Sequence, residues 1–193
     1  MRVIAGSARR LLLKTLPGND TRPTTDMIKE TLFNMINFDL PGSRFLDLYA
    51  GSGAIGIEAL SRGASFCTFV DNNAKAAAVI RENLEHTHFT EQSDIITSEA
   101  VSALRRLEKT SEPFDIVFMD PPYDQGMEDS ALRYLKSSKL LNTNSSVIVE
   151  MSINSDIEHF YDLGFMIEKV KAIVDEKLPL VTNLANVAAI LKD

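Results

Sequence analysis

Residues 44–56 read Arg-Phe-Leu-Asp-Leu-Tyr-Ala-Gly-Ser-Gly-Ala-Ile-Gly. The apolar run Arg44–Tyr49 has the length and composition of a buried strand. A glycine-rich turn follows, and Ile55–Arg62 predicts a helix. Gly51-Ser52-Gly53-Ala54-Ile55-Gly56 fits G-x-G-x-x-G, and it follows a strand and opens a helix, the context in which that pattern carries meaning. Glycines let the backbone come close to a ligand, and the helix start offers unpaired N–H groups. Asp71 lies 20 residues after Gly51, at the end of the next apolar run. A carboxylate there can accept hydrogen bonds from a ribose diol, so the pattern predicts a nucleoside-type cofactor. The candidate cofactor residues are Asp47, Ala50, Gly51, Ser52, Gly53, Asp71 and Asn72.

Outward from this stretch, short apolar runs alternate with amphipathic ones. Phe66–Val70 predicts a strand, Ala74–Glu85 a helix, Asp94–Thr97 a strand, Ala100–Leu107 a helix, and Phe114–Met119 a strand. Met127–Lys136 predicts a helix and Ser146–Glu150 a strand. A last helix is expected over Ile157–Leu163, ending near Gly164, with closing strands over Phe165–Lys171 and Asn186–Lys192. This rhythm predicts an α/β fold, a mostly parallel sheet with helices on both faces. Such sheets bind ligands beyond the carboxyl ends of their strands. The polar residues Asp47–Gly53, Asp71 and Asp120–Tyr123 all fall there.

Two cofactors fit the glycine turn, a dinucleotide or S-adenosylmethionine. Asp47 favours the second, because a nearby carboxylate repels a pyrophosphate and attracts a cationic amino-acid moiety. As an alternative, Asp47 is a capping or turn residue. Asp120-Pro121-Pro122-Tyr123 closes another strand. Two prolines remove two N–H donors and leave a carboxylate, carbonyls and an aromatic ring. That acceptor-rich set suits a planar exocyclic amine, which has two N–H donors and a face to stack. Asp120 and the Pro121 carbonyl are the natural pair to hold both N–H groups, leaving positioning and electrostatics to carry the chemistry.

Upstream, residues 1–43 form a different unit. Val3–Ile4 and Leu11–Leu13 predict a small hairpin through Gly6–Arg10, and Pro17–Asp20 a turn. Thr24 or Thr25 can cap a helix over Asp26–Ile36, with Ile28, Leu32, Phe33 and Ile36 on one face. The expectation is one domain over residues 1–193, with an appendage (1–43) docked on a sheet core (44–193). The chain carries a net charge of -7, which argues against a nucleic-acid partner at first sight. Residues 1–30, however, hold six basic side chains against three acidic ones. This basic segment is expected beside the mouth of the site.

The segments FLDLYAGSGAIGIEALSRGA (45–64), FVDNN (69–73) and FMDPPY (118–123), in this order, resemble a class I S-adenosylmethionine-dependent methyltransferase that acts on amino groups. RVIAGSARR (2–10) and TRPTTDMIKETLFN (21–34) narrow the resemblance to the bacterial 16S rRNA guanine-N2 methyltransferase family. It covers residues 1–151; the tail Val174–Asp193 departs from that family's short closing hairpin with a terminal aromatic residue. The resemblance implies a Rossmann-like fold with a seven-stranded sheet and S-adenosylmethionine as methyl donor. It places Asp47, Gly51 and Gly53 on the methionine side, Asp71 at the ribose, and Ser98, Glu99 and Ala100 along the adenine. Asp120, Pro121, Pro122 and Tyr123 would hold the guanine, with Tyr123 against its face; Arg2, Arg9, Arg10 and Arg22 would contact RNA phosphates. The substrate would be 16S rRNA in a partly assembled small subunit, with ribosomal proteins sharing the recognition surface.

Other readings compete. A DNA or other RNA amino-methyltransferase would use the same tetrapeptide, but 193 residues leave little room for a DNA target-recognition domain. An NAD-linked oxidoreductase leaves Asp120–Tyr123 without a role, and an RNA-binding assembly factor would have lost the motifs that are intact here. No Cys/His spacing suggests a metal. Cys67 reads as buried within a strand, and His86, His88 and His159 as ordinary surface or cap residues. The lone Cys, the absence of a long apolar run and a start (MRVIAGSARR) without a signal-peptide core lead to the expectation of a cytoplasmic protein without membrane contact; a monomer is expected, with the oligomeric state left open by the sequence.

Overall fold

The structure, a computed structural model, describes residues 1–16, 26–122, 127–151, 166–172 and 187–192, with backbone alone for 27, 28, 151 and the last two stretches. The chain order is α1 (Asp26–Met35), β1 (Arg44–Leu48), α2 (Ala54–Ser61), β2 (Phe66–Asp71), α3 (Ala74–Thr87), β3 (Ser93–Thr97), α4 (Ala100–Thr110), β4 (Phe114–Met119), α5 (Met127–Ser137), β5 (Leu141–Met151), β6 (Met166–Ala172) and β7 (Val187–Lys192). The strands lie in the order β3-β2-β1-β4-β5-β7-β6. The first five neighbours are parallel, and β7 and β6 add on antiparallel. The arrangement is Rossmann-like.

Period-two alternation explains why this sheet is covered on both faces. Leu46, Leu48, Val70, Val117, Met119, Val147 and Val149 point to one side, where α4 and α5 bring Ala103, Leu104, Leu132 and Leu135. Phe45, Cys67, Phe69, Ile116, Phe118 and Ile148 point to the other, where α1, α2 and α3 bring Phe33, Ile57 and Ile80. Gly56 lets α2 lie close to β2, since a Cβ there would stand 2.3 Å from the Phe69 ring and 2.6 Å from Cys67 Sγ.

Most predicted boundaries agree within two residues. The fifth strand differs, beginning at Leu141 instead of Ser146. Its register shifts against β4: Leu141 pairs with Phe114 and Ser146 with Ile116, so extra residues loop out. Side chains stabilise that bulge, with the Asn142 N–H donating to Ser145 Oγ at 2.8 Å and Ser145 Oγ donating to the Phe114 carbonyl at 2.7 Å. The predicted turn at 17–20, the Thr24 or Thr25 cap and the helix at 157–163 lie outside the described residues.

The N-terminal hairpin is present as a single antiparallel bridge, Arg2 with Leu12, flanked by Val3 N–H to the Leu11 carbonyl at 3.0 Å and Arg10 N–H to the Val3 carbonyl at 2.9 Å. It packs on α2. Gly6 is a steric requirement of that contact, as a Cβ there would lie 1.8 Å from the Ser61 carbonyl oxygen. Glu58, the one acid within the apolar helix α2, is fully buried. Its carboxylate accepts from the N–H groups of Ile4 (2.8 Å) and Ala5 (3.0 Å), and pairs with Arg62 (2.8 Å) and Lys29 (3.3 Å). Burial lowers the Lys29 pKa against the opposing pull of Glu58. Lys29 is thus a structural charge inside the molecule.

Candidate active site

β1 lies between β2 and β4, so the sheet's order reverses beside it, and this is where ligand crevices form. Leu48 pairs with Val70 on one side and Met119 on the other. Asp71 and Asp120 are therefore the next residues on the flanking strands, on either side of the turn that starts at Tyr49. Parallel pairing brings together side chains separated by more than 70 positions in sequence.

The glycine turn is tied to the neighbouring strand. Asp71 accepts from the N–H of Gly51 at 2.8 Å through one oxygen and from the N–H of Asn73 at 2.8 Å through the other. Each carboxylate oxygen has a second lone pair, so capacity remains for a ligand hydroxyl. Gly51 and Gly53 are both left-handed, with φ of 56° and 77°. Among the described residues, a Cβ on Gly51 would meet nothing within 4 Å, whereas one on Gly53 would press on Ile80 and Phe69. Among the described residues, the turn is thus backed at Gly53 and open at Gly51.

Asp47 is 1% exposed. Its carboxylate accepts from the Gly56 N–H at 2.9 Å, and the N-cap Gly53 supplies no side chain for that purpose. The capping reading of Asp47 is therefore correct for one of its oxygens. Burial pushes the Asp47 carboxyl up to about 7, against the Gly56 bond and with help from the charges of Asp120 and Asp71. Burial also pushes the Asp120 carboxyl up to about 6. Pro121 is buried and Pro122 exposed, and Tyr123 lies outside the described residues.

At the end of β3, the Ser98 N–H donates to the Asp71 carbonyl at 3.1 Å. Glu99 caps α4, where its carboxylate accepts from the N–H groups of Val101 (3.2 Å) and Ser102 (3.0 Å). Ala100 is buried in the first turn, and Asn72 is exposed. Ala50 continues the strand pairing through its N–H to the Val70 carbonyl at 3.0 Å.

Two supports of this edge escaped the sequence reading. Tyr49 has a φ of 64° and donates its hydroxyl to the Met127 carbonyl at 3.4 Å, which pins the start of α5 to the end of β1. Its hydroxyl pKa is pushed up to about 12 by burial and by Glu99 and Glu128, so it stays a donor. The signal was an aromatic residue directly ahead of the glycines. The second is Asn83 of α3, whose side chain donates to the Ser52 carbonyl at 2.9 Å.

The basic segment is not arranged as expected. Arg2 pairs with Asp26 at 2.8 Å, Lys14 with Glu82 at 2.6 Å, and Lys29 is buried with Glu58. The exposed pair Arg9 and Arg10 lies on the turn that docks at Ser61, the far end of α2 from the glycines, about 12 Å away for eight residues at about 1.5 Å each. Lys14 stands at the glycine end, where Asn83 joins it to the Ser52 carbonyl. Arg2, Arg9 and Arg10 share a groove of about 660 Å³ with Arg62, Asp26 and Glu30. Arg22 lies outside the described residues. Among the described residues no His/Cys/Asp/Glu cluster could hold a metal, and no helix is long and apolar enough to cross a membrane.

Known proteins resemble this chain in sequence and in fold. The family described as Conserved hypothetical protein 95 matches residues 1–174. A candidate rRNA methyltransferase of Bacillus subtilis, YlbH, is 40% identical over 150 residues, covering 78% of this chain and 82% of its own. Ribosomal RNA small subunit methyltransferase D of Buchnera aphidicola is 35% identical over 158 residues, 80% of each chain. Among solved structures, the candidate methyltransferase yhhF of Escherichia coli superposes with a TM-score of 0.79 at 27% identity, over 100% of this chain and 98% of that one. By the extent and level of these matches, the chain belongs to the family of the ribosomal RNA small subunit methyltransferases D.

Proposed function

We propose that the protein transfers a methyl group from S-adenosylmethionine to the exocyclic N2 of one guanine in 16S rRNA, within a partly assembled small ribosomal subunit. The observation that carries this reading is the carboxylate set around the open glycine turn. Asp47 and Asp120 are both held above their ordinary range, and Asp71 adds a third carboxylate. Such a site lowers its own electrostatic cost by taking a cation and raises it by taking a pyrophosphate. That favours a sulfonium amino acid over a dinucleotide. The family relatives named as rRNA methyltransferases supply the polymer class.

Asp47, Gly51 and Gly53 would face the methionine portion, Asp71 the ribose diol, and Ser98 to Ala100 the adenine. When bound, S-adenosylmethionine supplies an electrophilic methyl on a positively charged sulfur. The protein's own residues then position the amine. The segment after β4 has no N–H at Pro121 or Pro122, so it presents acceptors to both guanine N2–H groups. Asp120 and the Pro121 carbonyl, each accepting a hydrogen bond from one N2–H, would draw the nitrogen lone pair out of ring conjugation and toward the methyl carbon. Once N2 bears the methyl group it would be acidic, and Asp120 would receive the proton it releases. Tyr123 would stack on the base, and Arg9 and Arg10 would meet phosphates.

The test is Asp120→Ala in a methyl-transfer assay on small-subunit particles isolated from cells lacking the gene. Methyl incorporation should fall by at least about 10²-fold, the scale of losing one well-placed catalytic group. S-adenosylhomocysteine should still bind within a few-fold of wild type. Ordinary turnover by this variant would remove Asp120 from the mechanism.

A further inference from the structure

Asn83 is nearly inaccessible, at 1% exposure, in the middle of α3. Its side chain makes three hydrogen bonds to two distant segments. Oδ1 accepts from the Lys14 N–H at 2.8 Å. Nδ2 donates to the Lys14 carbonyl at 3.1 Å and to the Ser52 carbonyl at 2.9 Å. The first pair grips the N-terminal segment from both sides of one residue, as a strand partner would. The last bond reaches the centre of the glycine turn.

The Ser52 carbonyl and the Gly53 N–H belong to one planar peptide. That N–H donates to the Ala50 carbonyl at 2.7 Å. With both ends of the plane held, rotation of the peptide is restrained, although Gly53 on one side of it would permit it. Ile80, three residues before Asn83, backs Gly53 from the same helix. The N-terminal segment is itself anchored on α2 by Glu58 and by Ser61, whose hydroxyl accepts from the Ala8 N–H at 3.0 Å. A continuous set of contacts therefore runs from α2 through Lys14 and Asn83 to Ser52.

We propose that Asn83 is a positioning residue for the cofactor turn, and that through it the N-terminal segment is part of the cofactor site as well as of the RNA-facing surface. This rests on the reading that S-adenosylmethionine binds at Gly51–Gly53. Asn83 itself touches no substrate; it fixes the peptide that does.

The test is calorimetric binding of S-adenosylhomocysteine to the full chain without RNA, so the identity of the methylated nucleoside does not enter. Asn83→Asp keeps the acceptor for the Lys14 N–H and loses both donated bonds. It should weaken binding about tenfold or more, and in the methylation assay it should raise KM for the methyl donor while changing kcat less than about threefold. Lys14→Pro removes the Lys14 N–H that Asn83 Oδ1 accepts and should weaken binding several-fold. This second variant keeps the inference testable if Asn83→Asp folds poorly. Glu82→Ala, which removes only the surface partner of the Lys14 ammonium, should bind as wild type. Wild-type affinity in folded Asn83→Asp and Lys14→Pro, with only the melting temperature lowered, would overturn the proposal and leave the cofactor reading intact. A wild-type chain that binds no S-adenosylhomocysteine would overturn both.

Discussion

Asp47→Asn isolates the electrostatic cost built into the candidate site. The side chain is buried at the end of β1 and accepts from the Gly56 N–H at 2.9 Å. The carbonyl oxygen of Asn can keep that bond. What changes is the charge. Burial, with Asp120 and Asp71 nearby, raises the carboxyl from its ordinary 3.8 to about 7. The folded chain therefore holds a proton that the unfolded chain has released between those values, so stability falls as pH rises from 3.8 to about 7. At about 1.4 kcal/mol per pH unit, the gap is worth at most about 4 kcal/mol above pH 7. Burying the amide offsets part of this, so a net gain of about 1–2 kcal/mol is expected for Asn at pH 8. For a chain of this length that is about 2–8 °C in melting temperature. At pH 4.5 the wild-type carboxyl is neutral in the folded chain, most of the cost is gone, and the gain should be lost or reversed. Melting curves of both proteins, free of ligand, at pH 4.5, 6 and 8 measure this directly. The same variant should bind S-adenosylhomocysteine more weakly at pH 8, since it has lost the carboxylate proposed to face the amino-acid moiety. A variant less stable than wild type at pH 8, or a difference that does not change with pH, would refute the argument that Asp47 is a strained charge.

Other consequences concern the N-terminal segment. Glu58→Gln leaves Lys29 buried without its counter-charge, and should cost about 3 kcal/mol in denaturant unfolding at pH 7; Lys29→Met in that background should recover most of the loss. Recovery would fail if Glu58 mattered only as an acceptor for Ile4 and Ala5. Reversing Arg9 and Arg10 to Glu should weaken binding to the RNA substrate and flatten the slope of log K against log salt by about 1.5, at about 0.7–0.9 per phosphate. Filter binding over a salt series reads this, and an unchanged slope would mean that these arginines meet no phosphate.

The strands and helices were readable because burial on both sheet faces writes apolar residues at nearly every strand position, as in Phe114–Met119. The start of β5 was not, since Asn142, Thr143 and Asn144 are turn formers and the bulge they make depends on the Phe114 carbonyl across the sheet. Asp47 stood out as a polar residue in an apolar strand, and the parallel pairing then placed Asp71 and Asp120 beside it. Charge counting failed at Lys29, because its partner Glu58 lies 29 positions away on another helix. That acid within AIGIEALS was the available clue. Asn83 carried no clue at all: its partners are 31 and 69 positions distant, and a helical Asn is ordinarily a surface residue.

The most direct test of methyl transfer to guanine N2 is mass-spectrometric mapping of rRNA modifications in the source organism with the gene present, deleted, and restored as Asp120→Ala. Loss of a single N2-methylguanosine from 16S rRNA on deletion, regained with the wild-type gene and not with the variant, is the predicted result. An unchanged 16S rRNA map, or loss of a methyl group from an adenine N6, would contradict the account.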